Sequence, residues 1–443
     1  MSAYHRGLLK TPAHIGLCEV SNFLERKRTL GFNRPSRKRP ERHLMEMIVR
    51  SLKRSLCLAF AITALAGHPA AAASLDSCVA GIRNAAIKAG VSRAVAKKAL
   101  TGVKFDEKAV RFSRSQPEYR TPIWDYMAFL IDRDRINTGF AMMKKHDRVL
   151  RAVEKAYGVD RYVITALWGI ESNYGKDQGD FYIPHALANV ACAGRKPDFF
   201  RTELIQALKL VSRGDLKLAD LRGSWAGAFG QTQFIPSTYQ RLAVDFDGDG
   251  RRDLVHSVPD ALASAANYLK RAGWRSGQDW GYEVRLPRGY KGPSGRKKRA
   301  SAANWAKRGI TGVNGKKPRG KANAGLLLPA GAKGPAFLVF GNFNALYSYN
   351  AAESYALAIG HLSDRLKRGK PLATPWPTSD PGLSRAQRLD LQKLLIRHGY
   401  DIGEADGRIG PVTRAAIKKA EAKFGMPQTG RPGTKIYRAL GGR

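Results

Sequence analysis

Between Asp160 and Gly175 the chain holds the segment that leaves it least conformational freedom. Asp160 is a residue type that caps helix starts and Gly175 one that ends them, so Arg161 to Asn173 reads as helix. Ile164, Leu167 and Trp168 fall at i, i+3 and i+4, the spacing of one buried face. Glu171 comes at i+7 on that face, a carboxylate at the end of an apolar stripe. Burial disfavours the charged form and raises the pKa, which suits a general acid working near neutral pH. The alternative is a structural Glu that caps a neighbouring helix or pairs with an arginine.

The surrounding pattern is helical as well. From Leu75 to Tyr157, Ala-rich and Lys/Arg-rich stretches are broken at Gly90, Gly102, Pro117 and Pro122. Asn137 to Tyr157 reads as one long amphipathic helix leading into the Glu171 helix. Phe199 to Ser212 reads as another, with Phe200, Leu204, Ala207, Leu208 and Val211 at helical spacing. Trp124, Tyr126 and Phe129 form an aromatic cluster of a kind more often core than ligand site.

Three further stretches carry chemistry. Gly223 to Tyr239 (GSWAGAFGQTQFIPSTY) is dense in Gly and Ala, which lets backbone approach a ligand or another helix closely. Its Ser224, Gln231 and Gln233 offer neutral hydrogen-bonding groups suited to sugar hydroxyls and amides. A tight helix-packing turn is the alternative. Asp245, Asp247 and Asp249, with Gly250 next, follow the first half of a calcium loop. The twelfth position is His256 rather than Glu, so Asp260 is the nearest downstream acid able to close the cage. A solvated acidic turn would explain the same residues. Finally, Asn344, Tyr347, Tyr349, Asn350 and Tyr355 gather ahead of a closing helix, a composition common to sugar-binding surfaces and to loops.

Residues 284–335 hold many basic residues and no acidic one, including Arg296-Lys297-Lys298-Arg299, and glycine is frequent. This reads as irregular or short-stranded structure, partly disordered, with a strand at Phe337 to Phe340. Residues 371–382, with four prolines, read as a linker to a final unit, 383–443, whose stretches Leu383 to His398 and Val412 to Phe424 are helical. Such a unit reads as a small module joined by a linker.

Arg50, Lys53 and Arg54 precede an apolar run from Leu56 to Ala66 and the small residues Ala70 to Ser74, the layout of a signal peptide cut after Ala73. Its apolar run is too short to span a bilayer, so no membrane span is expected in the mature protein. Residues 47–73 are therefore assigned as signal peptide, Met47 as the natural start, and 1–46 as a misassigned extension. Export places Cys78 and Cys192 in an oxidising compartment, where a disulfide and two separate thiols are both open. The 443 residues carry a net charge of +40, which calls for a polyanionic partner. Nucleic acid is not expected, because no helix-turn-helix or zinc pattern accompanies the basic run and the chain is exported.

The segment from Cys78 to about Lys367 resembles the B-type lytic murein transglycosylases, a lysozyme-like helical family. The resemblance rests on Gly169 to Gly175 (GIESNYG), Ala226 to Ser237 (AGAFGQTQFIPS), the Asp loop and Tyr349-Asn350, in the family's order. The last 60 residues resemble the type 1 peptidoglycan-binding domain through Leu391-Gln392, Gly399-Tyr400, Asp406-Gly407, Gly410 and Thr413. Together these imply a mainly α protein. It would combine a lysozyme-like helical catalytic domain at 74–370, bearing a small β-containing insertion, with a C-terminal three-helix module. The implied activity is cleavage of the β-1,4 bond between N-acetylmuramic acid and N-acetylglucosamine without water, leaving a 1,6-anhydromuramoyl end. Glu171 would be the catalytic acid. Ser224, Gln233, Tyr349, Asn350, Tyr355 and Tyr126 would bind the sugar. Asp245, Asp247, Asp249, the Arg251 carbonyl and Asp260 would hold a structural calcium, with no cofactor for the chemistry. The expected partner is the peptidoglycan glycan strand, met in the periplasm by a monomer. A hydrolytic muramidase with a second carboxylate and a non-catalytic cell-wall-binding protein are the competing readings.

Overall fold

The computed structural model describes residues 69–114 and 121–443. The assigned extension 1–46, the start at Met47 and the apolar heart of the signal segment lie outside the described residues. Helix α1 (Pro69–Lys88) is followed by α2 (Arg93–Leu100), α3 (Glu107–Arg114), α4 (Ile123–Leu130), α5 (Arg133–Lys145), α6 (Asp147–Tyr157) and α7 (Arg161–Ser172). The expected single helix from Asn137 to Tyr157 is two, α5 and α6. They break at His146, whose φ of −112° and ψ of 23° leave the helical range. The His146 ring packs edge-on against Trp168 of α7 at 5.6 Å, a tertiary contact absent from the local periodicity.

A two-stranded pair, β1 (Phe181–Tyr182) with β2 (Arg222–Gly223), brackets α8 (Ile183–Ala193) and α9 (Pro197–Ser212). Helices α10 (Pro236–Leu242) and α11 (Val258–Arg271) complete the first helical body. Cys78 of α1 and Cys192 of α8 form a disulfide, so the pairing left open by the sequence is made. The main hydrophobic core runs from Leu75 to Leu366. Near its centre α7 packs against α5, α6, α11 and α14 (Glu353–Leu366).

The basic stretch is ordered, which corrects the expectation of partial disorder. Strands β3 (Gly281–Arg285), β4 (Gly295–Ala300), β5 (Thr311–Gly312), β6 (Ala324–Leu327) and β7 (Ala336–Val339) form one antiparallel sheet in the order β4-β6-β7-β3-β5. Trp305, on the short helix α12 (Ala302–Lys307), is fully buried and donates its indole N–H to the Ala324 carbonyl at 2.9 Å. Around it Val284, Ile310, Leu326, Leu338 and Phe340 make a second small core. The charge is carried outward: Lys297, Lys298 and Arg299 are exposed on the edge strand β4, where lysine and arginine discourage pairing with another chain. Arg296 turns inward, lying 3.6 Å over the Tyr347 ring and bonding Asn344 at 3.2 Å on α13 (Gly341–Asn350).

The C-terminal unit is a three-helix module of α15 (Arg385–Arg397), α16 (Pro411–Lys423) and α17 (Thr434–Ala439) around Leu391, Leu395, Ile417, Ala420 and Ile436. Its Leu391-Gln392 and Asp406-Gly407 signatures meet in space. Buried Gln392 donates to Asp406 at 3.0 Å and accepts from the Gly407 N–H at 2.6 Å, pinning the loop between α15 and α16. Among the described residues no helix is long and apolar enough to cross a membrane.

The disulfide closes a loop of 114 residues and restricts the unfolded chain accordingly. Replacing both cysteines with serine is expected to lower the unfolding free energy by about 2–5 kcal/mol, measured by urea denaturation with and without reductant.

Candidate active site

The site begins with how α7 ends. Asp160 caps its start by accepting from the Tyr162 N–H at 2.8 Å. The helix closes one residue earlier than the spacing suggests, because Asn173 takes a left-handed conformation (φ 50°) as the cap. Tyr174 (φ 62°) and Gly175 (φ 84°) are left-handed too. For a bulky residue such as Tyr174 this conformation costs about 1–3 kcal/mol. It is held there by a 2.8 Å hydrogen bond from its hydroxyl to the Arg135 carbonyl and by edge-on packing on Trp168. Gly169 makes the room: a Cβ there would sit 2.6 Å from the Tyr174 ring.

The other wall is the Gly/Ala-rich stretch. Ser172 donates to the Gln231 carbonyl at 2.5 Å, and the Trp168 indole N–H donates to the Gln231 side-chain carbonyl at 3.1 Å. Gln231 is therefore buried and structural, a strut between the two motifs. Gln233, at φ 51°, spends its amide N–H groups on the Gln178 and Gly230 carbonyls at 2.9 Å each. Ser224 sits in a tight turn, accepting from the Ala228 N–H at 3.0 Å while keeping its own proton to donate. Gly223 is forced by this turn, since a Cβ would lie 2.1 Å from the Ala228 carbonyl oxygen.

Glu171 lies in the last turn of α7 with its carboxyl desolvated. Burial pushes its pKa from 4.5 up to about 7, while a hydrogen bond from the Tyr355 hydroxyl to Oε1 pulls it the other way. Among the described residues no second carboxylate acts on it. Tyr355 is only 2% exposed, and its phenol is pushed well above 10 by burial and by the Glu171 charge, so it donates and does not ionise. Tyr349 is buried too, its ring parallel to that of Tyr355 at 6.3 Å and its hydroxyl on the Thr232 carbonyl at 2.7 Å. The two hydroxyls expected to meet sugar are thus engaged inside the protein, that of Tyr355 on the acid and that of Tyr349 on the Thr232 carbonyl. Asn350, last residue of α13, and Tyr126 of α4 are partly exposed, and Tyr126 lies close enough to Tyr355 to act on its phenol. The supporting roles of Gln231 and Tyr174 were not foreseen; their presence inside the quoted motifs was the available signal.

In the Asp loop, ligand oxygens of Asp245, Asp247, Asp249 and Asp260 lie within 4.8 Å of one another. Asp260 is fully buried and also organises the loop, accepting from the N–H groups of Phe246 at 2.7 Å and Asp253 at 2.8 Å. His256, at the position where a standard loop has Glu, is turned to Asp220 at 3.3 Å instead. The four carboxylates form the all-oxygen set that a hard divalent cation such as calcium takes.

A poorly solvated carboxyl at the end of a core helix, bonded by a buried tyrosine inside a helical body, is the layout of a lysozyme-like enzyme. The chain belongs to the lytic transglycosylase family: residues 74–364 match the Transglycosylase SLT domain, and residues 384–440 match a peptidoglycan binding domain. It is 31% identical over 266 residues to the membrane-bound lytic murein transglycosylase B of Escherichia coli, covering 58% of this chain and 71% of that protein. The structure of SltB3 from Pseudomonas aeruginosa in complex with NAG-anhNAM-pentapeptide superposes with a TM-score of 0.67 at 43% identity, over 83% of this chain and 99% of that one. The Escherichia coli lytic transglycosylase Slt35 in complex with calcium gives 0.58 at 28% identity, over 67% and 93%.

A general acid needs its proton, so kcat/KM is expected to fall as pH rises through about 7. Tyr355→Phe removes the bond that favours the carboxylate and should move this alkaline limb to higher pH as well as lowering kcat. A pH–rate profile checks the sign; a limb displaced downward would contradict the assignment.

Proposed function

We infer that Glu171 serves as both acid and base in a non-hydrolytic cleavage of the peptidoglycan strand. Its protonated carboxyl gives a proton to the glycosidic oxygen as the bond from C1 of N-acetylmuramic acid breaks and the N-acetylglucosamine 4-hydroxyl leaves. The resulting carboxylate then takes the proton of the C6 hydroxyl as O6 bonds to C1. This closes the 1,6-anhydro ring and returns Glu171 to its starting state, with no water consumed. Tyr355 keeps the carboxyl in one orientation through both transfers. With no second carboxylate acting on Glu171 among the described residues, the substrate's acetamide oxygen is left to stabilise the oxocarbenium-like centre, as in the substrate-assisted exceptions to two-carboxylate catalysis. Ser224, the Gln233 carbonyl and Asn350 supply the neutral groups that orient acetamide and hydroxyls. The observation that carries this reading is the isolated, desolvated Glu171 with its pKa near 7.

The substrate places the working enzyme in the periplasm, reached through a signal peptide at 47–73. The Asp loop fits a structural calcium held by Asp245, Asp247, Asp249, Asp260 and the Arg251 carbonyl, consistent with the calcium complex of the Slt35 relative. Bound there, the ion would neutralise a crowded acidic turn and brace the start of α11.

Glu171→Gln is expected to lower turnover of sacculi by about a thousandfold or more, with sedimentation on sacculi retained. Mass spectrometry of the wild-type products should give anhydromuramoyl ends; reducing ends would identify a hydrolase. The same variant tests the pKa. Because the folded-state value is raised, the stability that wild-type Glu171 contributes is full below about 4.5 and lost as pH rises towards about 7. Glu171→Gln should therefore melt above wild type at pH 8 and close to it at pH 4. Calcium at a hundred times its Kd should stabilise the wild type by about 2.7 kcal/mol. Asp245→Asn combined with Asp249→Asn should abolish that thermal shift.

A further inference from the structure

The C-terminal module does not hang from a free tether. Residues 371–382 lie along the catalytic body, with the Ala373 and Thr374 N–H groups bonded to the Glu283 carboxylate at 2.7 and 2.8 Å. Gly382 passes so close to α4 that a Cβ would sit 2.6 Å from the Asp125 Cα. Two arginines of the module then reach aspartates that are 2% and 7% exposed. Arg431 forks onto Asp125 at 2.6 and 2.5 Å and also bonds Asp380. Arg385, the first residue of α15, forks onto Asp132 with Nε at 2.7 Å and Nη2 at 3.0 Å. Arg388 adds a bond to the Asp125 carbonyl at 3.1 Å and lies 4.4 Å over the Phe129 ring.

Arg385 does one thing more. Its remaining Nη1 donates to the Asn173 side-chain carbonyl at 2.7 Å. Asn173 is the left-handed cap of α7, two residues beyond Glu171, and Asp132 is the cap of α5, whose Arg135 carbonyl holds the strained Tyr174. One guanidinium of the module thus clamps the end of the acid-bearing helix to the start of the helix that supports it.

We propose that Arg385 is a positioning residue for Glu171, and that the C-terminal module is a working part of the catalytic apparatus as well as a wall-binding unit. On this proposal, loss of the module slows cleavage of soluble strands as well as weakening binding to sacculi. The proposal rests on Glu171 being the acid. A bidentate pair to a buried aspartate fixes angle as well as distance. The third bond transmits that fixation to the last turn of α7, where small displacements of a catalytic group are expensive in rate.

The test uses the full-length protein and soluble, peptide-free glycan strands, with sedimentation on sacculi in parallel. Arg385→Ala is expected to lower kcat by about 10- to 100-fold while KM and sacculus binding stay within about twofold of wild type. Asn173→Gly keeps the left-handed backbone but removes the acceptor. It should show a loss of the same kind, and the double variant should be no worse than Arg385→Ala. Arg385→Lys, which cannot fork to both partners, should recover only part of the rate. Arg431→Ala breaks the neighbouring clamp without touching α7 and should lower Tm with kcat nearly unchanged below the melting range. Wild-type kcat in Arg385→Ala, additive losses in the double variant, or an equal kcat loss in Arg431→Ala would each overturn the proposal. Glu171→Gln assayed alongside separates the two failures: if it is active the acid assignment falls, and if it is inactive beside a fully active Arg385→Ala, only the clamp falls.

Discussion

Poor solvation of one half-buried carboxyl is the constraint on which the rest of this structure depends. A carboxylic acid holds its proton at neutral pH only where the charged form is poorly solvated, and the chain achieves this by ending a buried helix on Glu171. Along α7, residues Val163 to Gly169 are all buried, so the acid-bearing turn is fixed by a packed core rather than by a loop. Among the described residues, Tyr355 provides the compensating hydrogen bond. That bond tempers the burial without cancelling it, and it gives the proton a defined oxygen from which to leave.

Holding a helix end this firmly has consequences nearby. Three successive left-handed residues turn the chain back under α7, and only one of them is glycine. The strain at Tyr174 is offset by its hydrogen bond, by the Trp168 contact and by Gly169 and Gly139, at both of which a Cβ would collide with its ring. The motif therefore divides its labour. Gly169 admits the ring, Glu171 presents the carboxyl, Ser172 ties the helix to Gln231, and Asn173 receives Arg385.

What could be read in the sequence was whatever depended on near neighbours. The helix of Glu171, the acidic loop with Asp260 and the three-helix module rest on spacing or on compact motifs, and all are found, whereas the Cys78–Cys192 bond, made in the structure, was left open by the sequence. The break at His146 was not legible because its cause, the Trp168 ring, comes from another helix. The sheet in the basic stretch was hidden by composition: its strands are short and its core depends on Trp305 reaching across to Ala324. The internal partners of Tyr349 and Tyr355 were not legible either. Their residue type suits sugar stacking, but burial gives them a partner inside the protein. Arg385 carried no signal at all, since one arginine among many in a chain of net charge +40 looks like surface.

That last case shows how a strongly basic chain uses charge in two ways. Lys297, Lys298 and Arg299 are exposed on a sheet edge, where they act on the surroundings through a screened field. Arg385 and Arg431 face aspartates withdrawn from water, where an unpaired charge would be costly. Undocking the module would leave Asp125 on α4 and Asp132 at the head of α5 without their forks, and would free the cap of α7 in the same step. The wall-binding unit and the acid are thereby coupled through ion pairs that favour only the docked geometry.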